Sequence, residues 1–146
     1  MQVAAEGGKM TGNDYQAQAM RTNDGKNINR LNTKIFRYHR FNPDVPALEK
    51  VGNKDVGGIL YACLGLSGEV GETVDLVKKW IFHDSPLDET HLKKEIGDVM
   101  WYIAEMCDSF GYDLDEIMQM NIDKHRKRYP NGFNTYDANH RRSDDV

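Results

Sequence analysis

The 146-residue sequence predicts an all-α helical bundle. Three observations lead there. Apolar residues recur every three to four positions from residue 55 to residue 129, the period of an amphipathic helix. Helix boundaries are marked by acidic residues at the starts and by glycine or proline at the ends. No alternating pair of β-branched runs joined by a turn dipeptide occurs.

The elements follow in order. Residues 1–13 are small, polar and glycine-containing, and are expected to be disordered. Asn13 and Asp14 are placed to cap a short helix through Thr22. Residues 23–33 read as a loop, with Asn23, Asp24, Gly25, Asn27, Asn29 and Asn32 in one stretch. The aromatic and basic run from Lys34 to Phe41 fits a short helix or a strand, and Pro43 and Pro46 break what precedes them. A first long helix is expected from Asp55 to Phe82 and a second from Asp88 to Gly111, which has the residue type of a left-handed cap. Asp113-Leu114-Asp115-Glu116 has capping-box spacing and opens a third helix that ends at Tyr129-Pro130. The tail from Thr135 onward is expected to fray.

Each long helix carries an apolar stripe, read as core. The first has Ile59, Cys63, Leu66, Val70, Val74, Val77 and Ile81. The second has Leu92, Ile96, Val99, Ile103, Met106, Cys107 and Phe110, and the third Leu114, Met118, Ile122 and Tyr129. A polar stripe runs beside each: Glu69, Glu72 and Lys79; then Glu95, Asp98, Tyr102 and Glu105; then Asn121, Lys124 and Arg128. Antiparallel packing of the first two helices would bring Glu69/Glu72 opposite Glu95/Asp98. Four converging carboxylates repel unless a cation neutralises them, and an all-oxygen set suits Mg²⁺, with Mn²⁺ a possible substitute, rather than zinc.

Charge and composition narrow the function classes. The net charge of −4 hides an asymmetry. Residues 55–120 hold fourteen Asp and Glu against four Lys and Arg, while the flanking segments are net basic. That pattern does not suit a duplex-DNA binder, and no nucleic-acid partner is expected. No apolar run is long enough to span a membrane, and the first ten residues lack a secretion signal's apolar stretch, so a cytoplasmic location is expected. Cys63 and Cys107 read as buried free thiols of a reducing compartment. Trp80 and Trp101 are expected in a core or interface, with Trp101 pointing away from the acidic stripe. His125 is read as structural, and His39, His83, His91 and His140 show no ligand spacing.

Leu64-Gly65-Leu66-Ser67-Gly68-Glu69-Val70-Gly71-Glu72, Glu95-Ile96-Gly97-Asp98-Val99 and Asn121-x-x-Lys124-x-x-x-Arg128-Tyr129-Pro130 together resemble the MazG-like, all-α nucleoside triphosphate pyrophosphohydrolases. The resemblance covers residues 55–133. It implies a catalytic core there; the N-terminal extension over 1–54 matches none of these motifs and is open to a role as lid, interface or base contact, and a polar tail occupies 134–146. It implies Mg²⁺ on Glu69, Glu72, Glu95 and Asp98, polyphosphate contacts from Asn121, Lys124 and Arg128, and Tyr102 beside the nucleotide. Lys124, Arg128 and Lys79 are the expected groups to stabilise charge on the departing pyrophosphate. It implies cleavage of (deoxy)nucleoside triphosphates to monophosphate and pyrophosphate, in nucleotide-pool housekeeping, by a homodimer or homotetramer. One glutamate of the quartet, or Glu105, is the expected proton acceptor. The competing reading is a non-catalytic helical module that binds nucleotide or metal to regulate a partner. No Gly-x-x-x-x-Gly-Lys-Ser/Thr loop occurs, which argues against a γ-phosphate ATPase.

Overall fold

A computed structural model describes residues 9–39 and 54–140. It contains α1 (Gly12–Ala19), a 3-10 turn (Met20–Thr22), α2 (Asn27–His39), α3 (Val56–Phe82), α4 (Glu89–Phe110), α5 (Leu114–Arg128) and α6 (Thr135–Asn139). The all-α expectation holds, and no strand occurs among the described residues.

Helix starts are set by side chains that accept from otherwise orphaned backbone N–H groups. Asp55 accepts from Gly58 N at 3.1 Å, Asp88 from His91 N at 2.9 Å, and Asp113 from Glu116 N at 2.9 Å. α4 ends at Gly111, whose φ of 72° lies where a Cβ is disfavoured. The three long helices thus begin and end where the caps place them.

The N-terminal segment differs from expectation. α1 starts at Gly12, inside the stretch read as disordered, and its cap is Thr11, which forms a capping box with Asp14. α2 occupies much of the stretch read as a loop, and its helical backbone extends to His39. Asparagine-rich composition marks turns only statistically; here Asn27 and Asn29 lie within a helix packed against α3. Arg40, Phe41, Pro43 and Pro46 fall outside the described residues, as do residues 1–8 and 141–146. α6 is a single turn capped by Asn134 within the segment expected to fray.

α3 and α4 form an antiparallel hairpin. Gly58 lies against Ser109, Gly65 against Tyr102, and Glu69 beside Glu95 and Asp98, so rising numbers on α3 meet falling numbers on α4. A Cβ at Gly65 would stand 2.1 Å from Cε1 of Tyr102, so only glycine admits that ring. α1 crosses α4 and also ties to α5. Gly12 N donates to Asp115 Oδ1 at 2.7 Å, and Asp115 N to Asn13 Oδ1 at 3.1 Å, so the two helix starts cap each other.

Burial overturns part of the stripe reading. Among the residues whose burial is described, Ala19, Ala62, Ala104, Cys107 and Leu114 are the buried apolar ones, whereas Cys63, Val70, Val74, Ile81, Ile96, Ile103, Met118 and Ile122 are exposed. The buried-thiol expectation therefore holds for Cys107 and fails for Cys63. Burial raises the Cys107 thiol above its ordinary range. Two helices cover only one side of each other, and here part of the polar stripe of α4 takes the inner side: Glu95 and Glu105 are buried and Tyr102 half-buried, while Asp98 stays exposed. The apolar stripes of this hairpin are largely left at its surface.

Candidate active site: a carboxylate trio on the hairpin

Glu69 on α3 meets Glu95 and Asp98 on α4. One carboxylate oxygen from each lies within 4.8 Å of the others. Partial burial raises the Glu69 carboxyl above its ordinary range, and a hydrogen bond with Glu95 and the charges of Glu72, Asp98 and Glu95 raise it further. These residues spend free energy on proximity, the condition a divalent cation relieves. The donor set is oxygen-only, which fits a hard cation.

Glu72 lies close enough to Glu69 to act on its titration, yet it is exposed and outside the tight trio. Lys79 pairs with Asp75 at 2.6 Å, and Lys78 pairs with the same carboxylate, which falls to about 2 under those two lysines. Asn121, Lys124 and Arg128 lie on α5, which docks on α1. Asn121 and Lys124 are exposed. The Arg128 guanidinium stands 6.0 Å from the Tyr129 ring centre, and His125 stacks on that ring at 6.3 Å.

Tyr102 sits over Gly65 and packs against Tyr61, with ring centres 5.6 Å apart. The Tyr61 hydroxyl, then burial, then the charges of Tyr61, Glu69 and Asp98 push its phenol up to about 12. Trp101 does not point away from this region: its ring meets Tyr102 edge-on at 5.0 Å. Periodicity agrees with this once the angles are worked out: at roughly 100° per residue Trp101 falls about 60° from Asp98 and about 40° from Glu105, at the edge of the polar stripe.

Three further residues were missed. His91 Nε2 lies 2.7 Å from Glu95 Oε1, the i, i+4 neighbour relation on α4. Tyr15 of α1 donates to Gly97 O at 3.4 Å, and burial together with the Asp98 charge raises its phenol. Tyr61 lies two turns before Glu69 on α3. The His91–Glu95 spacing was legible as a helix pair; the other two contacts depend on packing.

Glu105 is not beside the trio's oxygens. It is 0% exposed and accepts from Asn23 Nδ2 at 2.6 Å and Asn27 Nδ2 at 3.3 Å. Burial raises its carboxyl, outweighing the lowering by Asn27 and Ser109. This buried carboxylate fastens the N-terminal segment to α4. Its stability contribution is present below the ordinary value of 4.5 and is lost as pH rises through the raised folded value. Urea unfolding of Glu105→Gln at pH 5 and pH 7.5 should therefore show the variant gaining on the parent at the higher pH. Parallel curves would remove Glu105 from the pH dependence.

Residues 60–133 match the family model of the MazG nucleotide pyrophosphohydrolase domain. The chain is also similar to the Gene 37 protein of Mycobacterium phage L5, 34% identical over 82 residues, which span 53% of this chain and 71% of that one. No solved structure matches the chain. No helix among the described residues is long and apolar enough to cross a membrane.

Proposed function

Because the chain belongs to the MazG nucleotide pyrophosphohydrolase family, we propose that it hydrolyses (deoxy)nucleoside triphosphates to the monophosphate and pyrophosphate, as nucleotide-pool housekeeping in the cytoplasm. The observation that carries this reading is the convergence of Glu69, Glu95 and Asp98 from two helices. Those three would hold Mg²⁺, or Mn²⁺ in its place. Bound there, the cation would neutralise triphosphate oxygens and lower the pKa of a water.

The chain's own residues do the rest. Glu72, outside the trio but within its field, is the carboxylate best placed to accept the water's proton, since Glu105 is engaged by two asparagines. His91 orients Glu95 from the solvent side. Tyr102 keeps its proton at neutral pH, so it serves as a donor to the nucleotide. Asn121, Lys124 and Arg128, with Lys79 on release from Asp75, supply the groups that bind the polyphosphate and stabilise the leaving pyrophosphate.

A second copy completes the fold in this reading. Val70, Val74 and Ile81 on α3 and Ile96, Met100 and Ile103 on α4 are exposed together, and a homodimer or homotetramer would bury them.

Product analysis over a nucleotide panel with Mg²⁺ tests the reaction, with Glu72→Gln as control. Monophosphate plus pyrophosphate, lost in the variant, is the expected result. Diphosphate plus orthophosphate would place cleavage at the other bond. Stabilisation by nucleotide and Mg²⁺ without turnover would instead support a non-catalytic regulatory module.

A further inference from the structure

A cavity of about 780 Å³ lies between the N-terminal segment and the hairpin. That volume is in the range of small-molecule sites. Leu60 and Tyr61 of α3 and Trp101 of α4 line it on one side, and Asn23, Asn27 and Arg30 on the other.

The lining has a definite chemistry. The Trp101 indole N–H donates to Thr22 Oγ1 at 2.9 Å and Ala19 O at 3.2 Å. Its one polar atom is thus engaged, and the ring offers the cavity apolar π surface. Tyr61 meets Trp101 edge-on at 6.3 Å. Asn23 and Asn27 are held by the buried Glu105; Asn23 Nδ2 also reaches Met20 Sδ at 3.8 Å, while Asn27 Nδ2 has a second hydrogen to give. Arg30 bonds to Asp24 and to Asn27 Oδ1, both at the cavity wall. An aromatic wall facing amide and guanidinium donors suits a flat heteroaromatic ring with a carbonyl at its edge.

The cavity and the carboxylate trio lie on the same two helices, α3 and α4. Trp101 is three residues from Asp98, about 4.5 Å along the helix axis. The Tyr61 and Trp101 rings both pack against Tyr102, at 5.6 and 5.0 Å between ring centres, and Tyr102 is one helical turn from Asp98. One molecule can therefore place a ring in the cavity and phosphates at the carboxylates.

We propose that this cavity is the nucleobase subsite, with Tyr61 and Trp101 holding the ring and Asn27 and Arg30 donating to its edge. The assignment rests on the pyrophosphohydrolase reading for the identity of the ligand. It makes the N-terminal segment the element that selects among triphosphates.

The test uses nucleosides, which carry no phosphate and need no metal. The sequence has two tryptophans, so in a Trp80→Phe background the fluorescence reports Trp101 alone. Titration with the four common deoxynucleosides should give a saturable change with at least one. Tyr61→Leu should weaken its midpoint about ten-fold, the size of one lost base–aromatic contact, and Leu60→Phe should weaken it by filling the cavity. Melting temperature checks that both variants fold, and Leu60 is exposed enough to accept the larger ring. The same variants should raise KM for the favoured triphosphate by a similar factor. If no nucleoside perturbs Trp101 and neither variant moves KM, the assignment is overturned. Nucleoside binding in a chain that hydrolyses no triphosphate would sink the enzymatic reading and leave the base subsite standing. Turnover with a blind Trp101 and unchanged KM would do the reverse.

Discussion

Glu69→Gln is expected to lower triphosphate turnover by about 10²–10³-fold, the loss typical of removing one preorganised electrostatic group from an active site. The reason is geometric. Glu69 is the one member of the trio contributed by α3; Glu95 and Asp98 share α4. Without its charge, a cation is held from one helix only. A second effect has the opposite sign. In the absence of metal, Glu69 is an acid held against other acids, with its carboxyl raised by burial and by its neighbours. The variant removes that repulsion, so it should melt higher than the parent in chelator at neutral pH. Adding Mg²⁺ should reverse the ranking. At a hundred times Kd the parent gains about 2.7 kcal/mol, or roughly 5–11 °C in a chain of this size, and the variant should gain little. Melting curves with chelator and with Mg²⁺ check both halves. A parent insensitive to Mg²⁺ would show that the trio is a solvated acidic face.

Gly65→Ala should destabilise the protein by about 1–3 kcal/mol, the usual cost of forcing extra volume into a packed contact. The added methyl would occupy the place of the Tyr102 ring, 2.1 Å away, and both helices are backbone-constrained there. Tyr102 must then leave Tyr61, so KM for nucleotide should rise with the loss of stability. Gly71→Ala is the matched control. Nothing lies within 4 Å of a Cβ there, and alanine is favoured over glycine in a helix by about 1 kcal/mol. Urea unfolding should show opposite shifts for two substitutions of the same kind, six positions apart on one helix. Equal shifts would mean that the Gly65–Tyr102 contact does not set the hairpin's spacing.

Much was legible from local chemistry. Asp55, Asp88, Asp113 and Gly111 act within one helical turn, so the bounds of α3, α4 and α5 followed from them. Glu69 facing Glu95 and Asp98 followed from two short motifs and a connection that permits antiparallel packing. The stretch from Asn23 to Thr33 misled for the opposite reason. Its asparagines have weak local preferences, and contact with α3 outweighs them.

What the sequence alone determined is the set of groups and their order along each helix: the all-α class, the caps, and the two acidic pairs. These depend on residues three or four apart, where helix geometry leaves one arrangement. The tertiary structure decided which stripe turns inward. The sequence marked the apolar stripes as core, yet Glu95 and Glu105 are buried while Val74, Ile96 and Ile103 face out. Periodicity gives angles around one axis; the rotation of one helix against its neighbour is set by contacts such as Gly65 under Tyr102 and Asn23 on Glu105, which join residues 37 and 82 positions apart.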